Sequence, residues 1–232
     1  MEKNNLSKEQ RQEKVKKFIE KYKDKFTELE KRVILAASPE SSKTFLTDVV
    51  RQVFSELDFI DEEDDIYNAF IDIIEKEFGL ERNIVEIGGG VVPSLAKKIA
   101  LKQKTGTITV YDPRLIDTLY SDIPNLTLKR QKFSKETNIP DSNLYIAFMP
   151  CEATEMIIEA VGEKKQDFII AACEGGPHGE MFDYFESDEE WLGCMLYYAK
   201  REIEKADLGE LCTTDLEEYN DPYPVFFNRR SK

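Results

Sequence analysis

The sequence predicts an α/β fold: a mostly parallel sheet of seven strands with a terminal antiparallel hairpin, preceded by a helical subdomain over residues 1–80. Three observations carry this expectation. From residue 83 onward, short continuous apolar runs alternate with helical patterns, the texture of strands buried on both faces and joined by crossover helices. The last two apolar runs are separated only by the polar stretch Leu216 to Pro222, which is hairpin distance, so one of that pair must run antiparallel. Before residue 80, apolar residues recur only at the three- and four-residue spacings of helices.

The helical front reads as three elements. Residues 7–36 are expected to form one long helix, with Val15, Phe18, Ile19, Tyr22, Phe26, Leu29 and Val33 along one stripe. Ser7 and Gln10 have the spacing of a capping box. A second helix is expected from Ser38-Pro39, a cap followed by proline, with Phe45, Val49, Val53 and Leu57 inward. A third runs from about Asp65 to Phe78, burying Ile66, Phe70, Ile73, Ile74 and Phe78, and Gly79-Leu80 ends it. The acidic run Asp61 to Asp65 suits the positive end of that helix. It lacks the glycine and terminal glutamate of a calcium loop. No single helix here can bury its stripe alone. The three must pack on one another, on the body, or on a second copy of the chain, and the last of these arrangements would be a homodimer through the N-terminal helices.

The body, residues 81–232, then unfolds in order. Asn83 to Ile87 is a strand ending in Gly88-Gly89-Gly90, followed by a helix from Ser94 to Leu101. Thr107 to Tyr111 is the second strand, closed by Asp112-Pro113, and Leu126 to Leu128 is a weaker third. Leu144 to Met149 is a fourth, followed by a helix from about Glu152 to Val161 with a stop at Gly162. Phe168 to Cys173 is a fifth. A last helix opens with a capping box at Ser187 and buries Trp191, Leu192, Met195, Leu196 and Ile203. The hairpin strands are about Glu210–Asp215 and Tyr223–Asn228.

Composition narrows the function classes. With 46 acidic and 32 basic side chains among 232 residues, the net charge is −14. Such a chain repels phosphate backbones, so nucleic acid is not an expected partner. The basic residues concentrate in the first 32 positions, where 11 Lys/Arg face 7 Asp/Glu. No apolar stretch approaches the ~20 residues of a membrane span, and the polar N-terminus shows no secretory signal. The four cysteines form no CxxC pair, so neither a disulfide framework nor a zinc site is expected. A reduced, cytoplasmic protein is the expectation.

The order strand, Gly-Gly-Gly, helix, strand, Asp has a mechanical logic. Glycines let the backbone turn sharply and approach a ligand. An acidic side chain at the end of the next strand, here Asp112, lies beside the same crevice and can accept hydrogen bonds from both ribose hydroxyls. A nucleoside ligand is the reading. A dinucleotide fingerprint would want a third glycine near position 93, where Pro93 stands. The nucleoside that needs no pyrophosphate cradle is S-adenosylmethionine (SAM).

At residues 83–230 the chain resembles the Rossmann-like class I SAM-dependent methyltransferases. Val85 to Gly90 is similar to the family's acidic-x-Gly-x-Gly-x-Gly motif, and Val110-Tyr111-Asp112 to its acidic second-strand end. The resemblance implies SAM as cofactor. It places Gly88, Gly89 and Gly90 along the methionine part, Glu86 under that loop or at the amino group, and Asp112 with Pro113 at the ribose. The third motif glycine falls on Val92, and the usual acid after strand three is replaced by Arg130 to Ser134, leaving Phe133 to pack the adenine. The strand-four end, Met149-Pro150-Cys151-Glu152, is not the loop of nucleic-acid amino methylases. Met149 is placed on the cofactor side, and a small-molecule acceptor is expected.

The only histidine, His178, lies in the glycine-rich loop after strand five, on the carboxyl side of the sheet, and is the candidate general base. Cys151, Glu152 and Glu174 are candidate substrate contacts. Glu174, His178 and Glu180 have no strict ligand spacing, so no metal is expected. Two alternatives stand beside methyl transfer. One is a non-catalytic protein that keeps the fold, with or without the nucleoside, and uses its helical arm for association. The other is a nicotinamide-dependent oxidoreductase, disfavoured by Pro93.

Overall fold

The computed structural model describes residues 6–37, 48–60, 66–134, 136–137, 144–150, 153–172, 185, 187–218 and 221–230. The expected start of the second helix at Ser38-Pro39, its Phe45, and the acidic run 61–65 lie outside them.

The expected long helix over 7–36 is two helices. α1 (Lys8–Lys21) opens with the Ser7/Gln10 capping box. It ends at Tyr22, and a single 3₁₀ turn, Lys23–Lys25, leads to an extended Phe26. α2 (Glu28–Ala36) then starts afresh on a second capping box, in which Thr27 and Glu30 satisfy each other's N–H groups. A Thr-x-x-Glu cap inside an apolar stripe is a new start, and it offsets the stripe. Val15, Ile19 and Phe26 stay buried, but Leu29 is 69% exposed and Ile34 takes the inward place. α3 (Asp48–Glu56) buries Val53 as expected, together with Val50 and Phe54. α4 (Ile66–Phe78) buries Ile66, Tyr67, Phe70, Ile71 and Ile74, and Gly79 closes it with its N–H on Glu75 O at 3.0 Å.

The sheet has the order β3-β2-β1-β4-β5-β7-β6. β1 (Ile84–Ile87), β2 (Ile108–Tyr111), β3 (Leu126–Lys129), β4 (Leu144–Phe148) and β5 (Asp167–Ala171) are parallel. β6 (Glu210–Glu218) and β7 (Asp221–Arg229) form the hairpin, and β7 inserts antiparallel beside β5. β1, β2 and β4 are buried along their whole length, which explains their unbroken apolar spelling. β3 is one of the two edge strands and its burial alternates. The hairpin strands run further toward the turn than the apolar pattern suggested, β6 to Glu218 and β7 from Asp221.

Three cores hold these layers. α4 and α5 (Ser94–Lys102) cover one face, where Phe70, Ile74, Leu95 and Ile99 meet Ile108, Val110 and Ile146. α6 (Thr154–Lys164) and α7 (Asp188–Ala206) cover the other, where Ile157, Trp191 and Ile203 meet Tyr145, Phe168 and Phe226. α6 runs past its expected stop at Gly162. The left-handed residue is Lys165, and Gly162 instead faces α7, where an added Cβ would lie 3.2 Å from Glu202 Oε2. The third core joins Val15, Ile34, Val53 and Phe54 of the front helices to Val91, Val92, Ile116 and Leu119 from the loops at the carboxyl ends of β1 and β2. α1 to α3 are thereby docked over the carboxyl rim at β1 and β2, beside the paired strands β1 and β4 from which the connections lead off in opposite directions, the switch point at which open α/β sheets bind ligands. Among the described residues, no helix is long and apolar enough to cross a membrane.

Candidate ligand site

A cavity of about 520 Å³ opens at that rim. Every sequence-derived cofactor residue lines it: Glu86, Gly88, Gly89, Gly90, Asp112, Pro113, Phe133 and Met149. His178, Cys151, Glu152 and Glu174 lie outside the described residues.

The three glycines serve backbone approach. Gly88 donates its N–H to Tyr111 O at 2.9 Å, tying the loop to β2. A Cβ on Gly89 would lie 2.5 Å from Val110 Cγ1. Gly90 has φ +72°, and a Cβ there would lie 2.0 Å from Gln52 Nε2. Asp112 braces the loop from the other side. Its Oδ2 accepts the Gly90 N–H at 3.0 Å and its Oδ1 the Arg114 N–H at 2.7 Å. A carboxylate has about four lone-pair positions, so each oxygen keeps one for a ligand hydroxyl. Arg114 is in turn held by Glu30 of α2. Phe133, 3% exposed, supplies an aromatic surface beyond Asp112. On the β4 side Met149 sits at φ +50° with its N–H on Ala171 O at 2.8 Å, a strained conformation for a side-chain-bearing residue at a ligand rim.

Glu86 is the unusual group. It is 2% exposed, and its Oε2 is buried without a hydrogen-bond partner. Burial, reinforced by the Asp112 charge and opposed by the Ala96 N–H, pushes its carboxyl up from 4.5 to about 8. At neutral pH Glu86 is a protonated acid, able to donate a hydrogen bond as well as accept one.

Sequence reading missed Gln52. It sits on α3, some forty positions from the loop it serves. Its Oε1 accepts the N–H groups of Val91 at 3.0 Å and Val92 at 3.2 Å, while Ser94 Oγ donates to its main-chain oxygen at 3.1 Å. One turn later, Glu56 binds Lys97 Nζ at 2.9 Å and the Tyr120 hydroxyl. The only signal available was two polar residues four apart beside an apolar stripe, and that spacing names no partner.

No protein-family model matches the sequence, and no curated protein matches it. Solved structures do. The chain is similar to magnesium protoporphyrin IX methyltransferase of Synechocystis PCC 6803 with bound SAM, at a TM-score of 0.52 and 11% identity, covering 94% of this chain and 97% of that one. The same enzyme with bound SAH (S-adenosylhomocysteine, the demethylated product) gives a TM-score of 0.50 at 10% identity, covering 87% and 93%. Human N-acetylserotonin methyltransferase gives 0.47 at 12% identity over 80% of this chain, which spans only 57% of that enzyme's length. The chain has the class I SAM-dependent methyltransferase fold. Within that methyltransferase fold, the cavity lies at the carboxyl ends of β1, β2 and β4, and the front helices reach it through Gln52 and Val49.

Proposed function

We propose that this chain binds SAM and transfers its methyl group to a small-molecule acceptor, with the helices of residues 1–80 capping the site. The observation that carries the reading is Asp112. Its carboxylate is held by two backbone N–H groups on the wall of a nucleoside-sized cavity, with acceptor capacity left for a ribose diol. The remaining lining fits the rest of the ligand. Phe133 offers a face for the adenine, the Gly88–Gly90 backbone leaves room for the sulfur-bearing arm, and the unpartnered Glu86 Oε2 lies beneath that loop.

When bound, SAM would supply a methyl group activated by its sulfonium, for in-line displacement with the carbon–sulfur electron pair left on sulfur. The chain's own part is alignment and exclusion of water. Asp112 fixes the sugar, Met149 and Phe148 wall the side toward β4, and His178 is the residue assigned to take a proton from the acceptor. Tyr67 of α4, 4% exposed and stacked edge-on against Phe148 at 5.1 Å, makes that wall aromatic, in keeping with a small organic acceptor.

Titration calorimetry with SAM, SAH and NAD tests the reading. SAM and SAH are expected to bind and NAD to fail. Asp112→Ala is expected to weaken SAH about tenfold or more, the loss of hydrogen bonds to a charged acceptor. Absence of SAH binding would leave the non-catalytic reading, which Val92 in the place of the third motif glycine favours. Val92 is fully buried in the front-helix core.

A further inference from the structure

Gly90, Val91 and Val92 present three successive backbone N–H groups at the loop entering α5. Successive N–H groups of this kind form an anion-binding concavity, the arrangement that receives phosphate in nucleotide sites. Here it is filled by the protein itself. Asp112 takes the first N–H and the Gln52 carboxamide oxygen takes the other two. Because both of those partners are donors, the oxygen end of Gln52 is fixed, and its NH₂ end is directed elsewhere. That nitrogen would touch a Cβ on Gly90 at 2.0 Å, makes no hydrogen bond to a described residue, and belongs to a side chain lining the cavity.

We propose that Gln52 sets the charge class of ligand this site admits: it blocks the loop N–H groups against phosphate and offers its own NH₂ to the carboxylate of an amino-acid-bearing nucleoside. This rests on the methyltransferase reading and deepens it. A neutral carboxamide in the concavity leaves nothing for a phosphate to gain, since each N–H already has a partner. It also carries the hydrogen-bonding capacity of two backbone donors outward as one polarised donor. The cationic side chains on the cavity wall, Arg114 and Lys132, stand on the β2–β3 side with Asp112 and Phe133, and Arg114 is engaged by Glu30. On the glycine-loop side, the Gln52 NH₂ is a side-chain donor that no described residue engages, and it is available to the carboxylate of the ligand's arm. Its anchoring by Ser94 Oγ, and the Glu56–Lys97 pair one turn on, hold α3 in the register this requires.

The test is calorimetry of the full chain with SAH, 5′-methylthioadenosine and AMP. These share the adenosine and differ in carrying an amino-acid arm, no charged arm, or a phosphate. Wild type is expected to prefer SAH and to reject AMP. Gln52→Ala is expected to shift both ends in opposite directions: SAH weakens about tenfold or more toward 5′-methylthioadenosine, and AMP tightens because two N–H groups are released. Gln52→Glu keeps the acceptor for Val91 and Val92, so it preserves the docking of α3. It is expected to lose SAH by repulsion, keep 5′-methylthioadenosine, and still reject AMP. Parallel weakening of all three ligands in Gln52→Ala, or undiminished SAH binding in Gln52→Glu, overturns the proposal while the methyltransferase reading stands. Failure of wild type to bind any of the adenosine ligands overturns both.

Discussion

Glu86 carries a pH dependence that can be worked out in sign. Its folded value of about 8 lies above the ordinary 4.5. Between those values the folded chain keeps a proton that the unfolded chain has released, so stability falls as pH rises through this window. The contribution is fully present below pH 4.5 and gone above about 8. Glu86→Gln removes the titration while keeping the shape. The variant is expected to be more stable than wild type at pH 9 by roughly 2–5 kcal/mol, with a smaller gain at pH 5. Urea denaturation at the two pH values measures this, and an equal shift at both would show that Glu86 is not a buried neutral acid. At this scale the sequence was informative about residue type. The glycines and Asp112 were singled out from their place in the strand–loop pattern and Glu86 from the family resemblance, and each lines the cavity. The protonation of Glu86 was not legible, because it depends on burial and on how near Asp112 comes in space.

Between elements, one buried side chain adds to the ladders that hold β7 beside β5 and β6. Asn228 of β7 is fully buried, accepts the Phe168 N–H at 2.8 Å, and donates to Asp167 Oδ1 at 3.1 Å and Leu208 O at 3.0 Å. It thereby joins β5, β7 and the turn after α7. Asp167 is also bound by Arg82 at 3.0 Å and Arg230 at 2.7 Å, which hold its carboxyl below the usual range despite burial. Asn228→Ala would leave the Phe168 N–H of β5 and the Leu208 carbonyl after α7 without this partner, and about 2–4 kcal/mol of stability is expected to be lost. Thermal melting checks it, and a loss under about 0.5 kcal/mol, the scale of a surface change, would contradict the assignment. Element identity was largely readable from period and length. The errors fell where one local signal competed with another. The stripe from Val15 to Val33 concealed the Thr27/Glu30 cap, and Gly162, read as a stop, is a packing position against α7.

For the whole molecule, the front helices and the sheet domain share hydrophobic contacts, with Phe54 and Val53 in one cluster with Val91, Val92 and Ile116. Unfolding is therefore expected to be a single transition. Trp191, the only tryptophan, lies on α7 in the opposite layer and reports on it by fluorescence. Phe54→Ala, at a site 1% exposed, is expected to remove about 3–5 kcal/mol. The Trp191 transition should move by the same amount as the helical signal from circular dichroism. A Trp191 transition left in place would show that the front helices unfold on their own.

The amino-acid order by itself determined the strand and helix sequence, the parallel sheet with its terminal hairpin, and the residues at the strand ends that line the rim cavity. These follow from periodicity, from continuous apolar spelling, and from glycine and aspartate at turn positions, all of which are local. Only the tertiary structure decided that α3 lies over the glycine loop, that Gln52 fills its N–H groups, and that Glu86 holds its proton. Each of these depends on groups tens of residues apart meeting in a dry interior, and a one-dimensional pattern carries no record of that distance.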